Sequence, residues 1–149
     1  MKEIPHIIFP IPEFKVKNEN GMTVIWDEFS KIFRKLSPEE WVRQIILSYL
    51  VKDLAYSKNL IQIEREIKIQ KQKRRTDICI FDKQGKPYVI IECKSPEVKL
   101  ETKTWNQISQ YQEFHQAKYL IISNGLAVEI FDIEHKKLYN QLAYIPLPQ

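Results

Sequence analysis

Two apolar runs, "RTDICIF" (residues 75–81) and "PYVIIECK" (residues 87–94), flank the short polar stretch "DKQGK" and constrain the fold more than any other part of the chain. Short segments rich in Ile and Val around a Gly-containing loop of this length specify a β-hairpin. Their nearly continuous hydrophobicity places both strands near the middle of a sheet, covered on each face. The same strands nevertheless carry Asp77, Glu92 and Lys94. A charge buried in a sheet without a partner is costly, so residues of this kind have either a partner or a task. With the turn centred on Gln84-Gly85, Asp77 lies across from Glu92 on one face, and Lys94, two residues on, shares that face.

The other segments supply the surroundings. "FKVKNENGMTVIW" alternates around Asn20-Gly21, a strong hairpin signal, so the fold opens with a β-ribbon after a proline-interrupted strap. "LSPEEWVRQIILSYLVKDL" has Ser37 as N-cap, Pro38 in the first turn, and Val42, Ile45, Ile46, Tyr49 and Leu50 at helical spacing. Isoleucines at 61, 63, 67 and 69 mark a half-buried strand. Trp105, Ile108, Tyr111 and Phe114 mark a second helix, and "AKYLIIS", "AVEIFDI" and "KLYNQLAYI" read as three more strands, the first two turning at Asn124-Gly125. The expectation is one α/β domain spanning residues 1–149, with roughly residues 1–30 forming the strap and ribbon.

At 149 residues and 44% hydrophobic content the chain can build one packed core. Three glycines leave no room for a Gly-rich phosphate loop, which argues against an ATPase or a dinucleotide enzyme. A net charge of +4 weakly favours an anionic partner. Cys79 and Cys93 both fall in expected strands and read as buried thiols in a reducing compartment. The start, "MKEIPHIIFPIPEF", lacks a sustained apolar run, so neither a signal peptide nor a membrane span is expected, and a cytoplasmic location is.

Opposed carboxylates repel, and a shared divalent cation relieves the repulsion; oxygen donors suit Mg2+, with Mn2+ able to substitute. A lysine beside such an ion can orient a water or stabilise developing charge during attack on phosphorus. The alternative is a structural cluster in which Lys94 neutralises Glu92. An Asp on one strand followed by Glu-x-Lys on the next resembles the PD-(D/E)XK nucleases, which have a restriction-endonuclease-like α/β/α sandwich with a mixed central sheet. "SPEEWVRQ", the central hairpin, "QISQY" and "YLIISNGLAVEIF" together resemble the N-terminal domain of the type I restriction enzyme R subunit, and most of all the small stand-alone proteins that carry this domain alone. The likeness runs from about Phe14 to Ile133.

The resemblance implies that Asp77, Glu92 and the main-chain carbonyl of Cys93 bind the metal and that Lys94 is the catalytic lysine. Thr76 stands where the superfamily name has proline, and no helicase motor follows, so translocation-driven cleavage is not expected of this chain itself. An acidic residue on the first helix often joins such sites. Helical geometry leaves Glu39 at the border of the apolar face and turns Glu40 toward solvent, which favours Glu39 while leaving Glu40 as the alternative; for each of them, charge complementing the helix dipole is the competing reading. Gln107 and Tyr111 are one helical turn apart; the resemblance implies that Gln107 approaches the metal or the phosphate, while Tyr111 reads as packing. In "KQKRR", Lys71, Lys73, Arg74 and Arg75 are candidate contacts to DNA phosphates, against the default of a solvated loop. His6, His115 and His135 are too far apart to suggest a zinc motif. The expected activity is Mg2+-dependent hydrolysis of DNA phosphodiesters. The rival is a catalytically silent nuclease-fold module that binds DNA or docks onto a restriction or defence partner protein.

Overall fold

The computed structural model describes residues 6–69, 72–100 and 117–149, without the side chains of 65–69 and 72–75. Three strands, β1 (Val16–Glu19), β2 (Met22–Asp27) and β3 (Ile32–Lys35), form an antiparallel ribbon. Its first turn is the expected one: Asn20 and Gly21 have φ of 51° and 80°, the left-handed conformation that a two-residue hairpin loop demands. β3 was not anticipated, and "KLYNQLAYI" yields only a three-residue strand followed by a 3-10 turn.

Helix α1 (Pro38–Ser48) begins where its sequence dictates. Ser37 Oγ accepts the Glu40 N–H at 3.1 Å and Pro38 occupies the first turn. The helix then widens into a π-turn over Tyr49–Asp53. Its apolar face, Val42, Ile45, Ile46 and Leu50, packs against Ile78, Ile80, Val89, Ile91, Ile121 and Ile130 of the main sheet, all nearly inaccessible to water. Burying each such side chain contributes about 1.5–3 kcal/mol relative to exposure.

The main sheet contains β4 (Ile61–Ile69), β5 (Gln72–Phe81), β6 (Pro87–Cys93), β7 (Tyr119–Ser123), β8 (Val128–Asp132) and β9 (Lys137–Tyr139), side by side in sequence order. All neighbours are antiparallel except β6 and β7, so the sheet is mixed, as expected. A parallel pair needs a crossover connection. Residues 101–116 fall in that connection and lie outside the described residues, and with them the expected second helix, Gln107 and Tyr111. On the sheet face away from α1, Cys79, Ile90, Ala117, Leu120 and Ile122 form a smaller buried cluster. Cys79 and Cys93 are both buried free thiols. Among the described residues, no helix is long and apolar enough to cross a membrane.

One fully buried carboxylate ties β2, its following turn and β3 together within the ribbon. Asp27 Oδ2 accepts from Arg34 Nε at 2.6 Å, and Oδ1 accepts from the main-chain N–H groups of Phe29 and Ser30. Burial alone would raise its pKa, but these hydrogen bonds prevail and hold it below the ordinary carboxylate value. The unfolded chain therefore binds the proton more tightly, so this contribution is complete above the unfolded pKa and is lost as pH falls through the folded one. Asp27→Asn should lower stability by about 1–3 kcal/mol at neutral pH. Urea unfolding of both proteins should show the difference shrinking below pH ~4. A difference that stays constant down to pH ~3 would contradict the ionised clamp.

Candidate active site

The hairpin of β5 and β6 has the register Ile78↔Ile91, Cys79↔Ile90 and Ile80↔Val89, as a turn centred on Gln84-Gly85 requires. The ladder ends at Ile78↔Ile91, one step before Asp77 and Glu92 would pair. There Asp77 Oδ2 accepts the Cys93 N–H at 2.7 Å. A carboxylate in place of a main-chain carbonyl holds the strands apart, so the hairpin opens at this end. On the other side, β4 and β5 pair as Ile63↔Ile78 and Arg65↔Thr76, skipping the rung between them. The skipped pair is Glu64 and Asp77, and Glu64 has φ of 54°, the left-handed region, which is strained for a non-glycine residue. Asp77 thus stands between two interruptions of the sheet.

Glu92 is half-buried and in register with Ile122 of β7. Lys94 continues the strand direction, its main-chain N–H donating to Ser123 O at 2.8 Å. Strand alternation from Ile90 puts Glu92 and Lys94 on the face away from α1, and leaves Cys93 on the α1 face. Burial pushes the Cys93 thiol well up, the negative charges of Asp77 and Glu92 push it further, and Arg43 offsets only part of this. A thiolate nucleophile is therefore disfavoured here.

The expected orientation of the first helix's acids is reversed. Glu40 is buried and Glu39 is exposed. Glu40 accepts from Arg43 Nε at 2.6 Å and also from Arg43 Nη2, and its Oε1 lies 3.6 Å from Arg34 Nε. The ribbon covers this side of the helix, so a charge assigned to solvent is enclosed by two arginines instead. Arg43 Nη1 reaches Glu64 Oε1 at 3.2 Å, and Arg34 Nη1 reaches it at 3.4 Å. Burial alone would lower the Arg43 pKa, but the hydrogen bonds to Glu40, with the negative charges of Glu40 and Glu64, together outweigh it and raise the pKa. Ribbon, helix and β4 are joined through one network beside Asp77.

A cleft of about 320 Å3 separates these elements, with Asp77, Glu64, Glu39, Glu40, Arg34 and Arg43 on its walls. Asp77 and Glu39 thus meet in one cleft, with Glu40 the better anchored of the two helix acids, whereas Glu92 and Lys94 do not line it and flank Asp77 from the strand end. Lys73, Arg74 and Arg75 belong to β5, paired with Lys68, Ile67 and Glu66, so they continue the central strand rather than form a loop. Lys71 lies outside the described residues. Among the described residues no three His, Cys, Asp or Glu side chains gather as a ready-made metal site. His135, in the turn between β8 and β9, pairs with Asp132 at 2.9 Å, remote in the strand order from the hairpin of β5 and β6. Sequence reasoning passed over Arg34, Arg43 and Glu64; the only local signal was the three-residue spacing of Glu40 and Arg43 on one helix face.

A mixed sheet backed by a helix, with acidic and basic side chains gathered where its central hairpin opens, defines a mixed α/β domain with a polar cleft. Residues 38–146 match the family described as type I restriction enzyme R protein N terminus (HSDR_N), and the chain belongs to that family. In fold it is similar to "the fragment structure of a putative HsdR subunit of a type I restriction enzyme from Vibrio vulnificus YJ016", with a TM-score of 0.58 and 17% identity. The match covers 76% of this chain and 24% of that one, so the chain spans about a quarter of the protein it resembles. No curated protein matches its sequence.

Proposed function

We propose that this chain is a PD-(D/E)XK-type, Mg2+-dependent nuclease that hydrolyses DNA phosphodiesters. The observation that carries the reading is Asp77, whose carboxylate is fixed by the Cys93 amide at the opened end of the hairpin bearing Glu92 and Lys94. With one oxygen so held, the carboxylate is oriented and its other oxygen is left as a ligand. A strand residue's N–H and C=O point to the same side, so the Cys93 carbonyl also leaves β6 toward Asp77. Asp77, Glu92 and this carbonyl offer hard oxygen donors. Two carboxylates fit Mg2+, which commonly completes its shell with water and substrate phosphate, and Mn2+ accepts the same donors. Bound there, the ion would supply Lewis-acid polarisation of the scissile phosphate.

The chain's own groups supply the rest. Lys94, two residues after Glu92, holds the attacking water and offers its ammonium to charge developing on phosphorus. Glu39, on the cleft wall, and Gln107 assist in placing water and phosphate. Family membership supports a restriction-system setting, with DNA as substrate and a defence partner protein as an associate. The test is incubation of the full chain with labelled single-stranded, duplex and branched DNA, with Mg2+, with Mn2+ and with chelator. Metal-dependent cleavage is expected. DNA binding without cleavage under every condition would favour the silent-module alternative.

Lys73, Arg74 and Arg75 extend the strand that carries Asp77, which leads a DNA backbone toward the site. Replacing the three with glutamine should weaken duplex binding and flatten its salt dependence by about 0.9 log units per lost phosphate contact. Binding isotherms between 50 and 200 mM salt would read this on the scale of that effect. An unchanged slope would remove the run from the interface. Since phosphate contacts carry no base information, any sequence preference should survive.

A further inference from the structure

We propose that Arg34 and Arg43 form a phosphate-binding cradle beside Asp77, and that Glu64 fills it until a DNA phosphate takes its place. The inference rests on the DNA-directed reading above and adds to it how the substrate backbone is held and what competes with it.

Each arginine has two kinds of partner. On one side stand buried anchors: Asp27, with no exposed side-chain surface, holds Arg34 Nε at 2.6 Å, and Glu40, 8% exposed, holds Arg43 Nε at 2.6 Å. On the other side both guanidinium groups converge on Glu64 through longer contacts of 3.4 and 3.2 Å. Glu64 is 37% exposed, against 20% for Arg34 and 7% for Arg43, so it is the member of the network most open to water and to a ligand. The anchors fix the two forks in place and the loose carboxylate is the exchangeable part. Arginine pairs suit phosphate because the planar fork matches two oxygens at once.

Charge and backbone favour exchange. A phosphodiester and a carboxylate each carry one negative charge, so exchanging one for the other leaves the total charge around the arginines unchanged. Glu64 also sits on a left-handed backbone at the skipped rung facing Asp77. A strained position at the edge of a cleft can move at less cost than a regular strand residue. Arg34, Arg43, Glu64 and Asp77 all line the same cleft, so a phosphate in the cradle lies beside the proposed metal-binding carboxylate.

The decisive variant is Glu64→Gln, which keeps size and backbone while removing the competing charge. Binding to a DNA duplex is measured in chelator at 0.1 M salt, so that cleavage does not intervene. Glu64→Gln should bind roughly tenfold tighter than wild type, with a salt slope steeper by about 0.9 for one added phosphate contact. Glu28→Gln removes the same charge from the exposed surface of the ribbon, outside the cleft and away from the arginines, and should give a much smaller gain. In the double variant Glu64→Gln/Arg34→Gln the gain should vanish. Should that protein fail to fold by circular dichroism, inorganic phosphate is the second probe. It should raise the melting temperature of Glu64→Gln more than that of wild type or Glu28→Gln. Equal gains from Glu64→Gln and Glu28→Gln, or no gain in a folded Glu64→Gln protein, would overturn the cradle. Cleavage by the wild type with no Glu64 effect would reject the cradle and keep the nuclease. A Glu64 effect without any cleavage would do the reverse.

Discussion

Lys94→Ala is expected to reduce DNA cleavage by about 10²–10³-fold, the range associated with loss of one group aimed at charge developing in the transition state, while leaving the fold intact. The structural reason for an intact fold is specific. The strand contact made by Lys94 is its main-chain N–H to Ser123 O at 2.8 Å, and alanine keeps that bond. Metal affinity should also persist, because the ammonium is a donor and cannot ligate a cation while protonated. Circular dichroism, the Mg2+-induced shift in melting temperature and single-turnover cleavage separate the three effects. Retained cleavage in a folded, metal-binding variant would take Lys94 out of the mechanism. Loss of folding together with loss of cleavage would instead support a structural cluster with Glu92.

What the sequence disclosed, and what it hid, follows from the range of the interactions involved. The central register was legible because a short loop at Gln84-Gly85 fixes every rung that follows, and Ile78↔Ile91 obeys it. The start of α1 was legible because Ser37 caps a neighbour only three residues away. Asn20-Gly21 likewise dictates its own turn. β3 was not, since four residues, "IFRK", give too short an alternation and no turn dipeptide precedes them. Its loop relies on Lys31 at φ of 55°, a residue type that does not advertise that conformation.

The candidate site divides in the same way. Asp77 and Glu92 belong to one hairpin, which the sequence makes legible, but the ladder stops one rung short of pairing them. Glu40 was turned to the wrong side because hydrophobic periodicity assigns charge to water. In the folded protein Arg34 arrives from β3, six residues earlier in sequence and on a strand that periodicity did not reveal. Glu64 arrives from β4, twenty-four residues later in sequence. A left-handed residue in the middle of a strand, as at Glu64, leaves no trace in the pattern of "IQIEREIKIQ". The parts that escaped are therefore the long-range ion pairs, which also distinguish the cleft from an ordinary sheet edge.

The second large effect separates the chemical role of Asp77 from its structural one, because one carboxylate serves both. Its Oδ2 satisfies the Cys93 amide, which belongs to a nearly inaccessible residue. Asparagine retains a carbonyl oxygen that can accept the same bond, so Asp77→Asn should keep most of the stability of the metal-free protein. Alanine leaves that amide without its acceptor, and Asp77→Ala should lose about 1–3 kcal/mol in chelator. Both substitutions remove an anionic oxygen, so both should abolish the Mg2+-dependent rise in melting temperature, which for wild type follows RT ln(1 + [L]/Kd). Cleavage should fall in both by at least about 10³-fold, if the loss of one metal ligand costs the ~4 kcal/mol that such a factor represents. Thermal scans with and without Mg2+, run beside a cleavage assay, give four readings for each variant. Should Asp77→Asn keep both the Mg2+ shift and cleavage, Asp77 would be no more than a strand-end clasp for the Cys93 amide, and the metal would have to be held elsewhere.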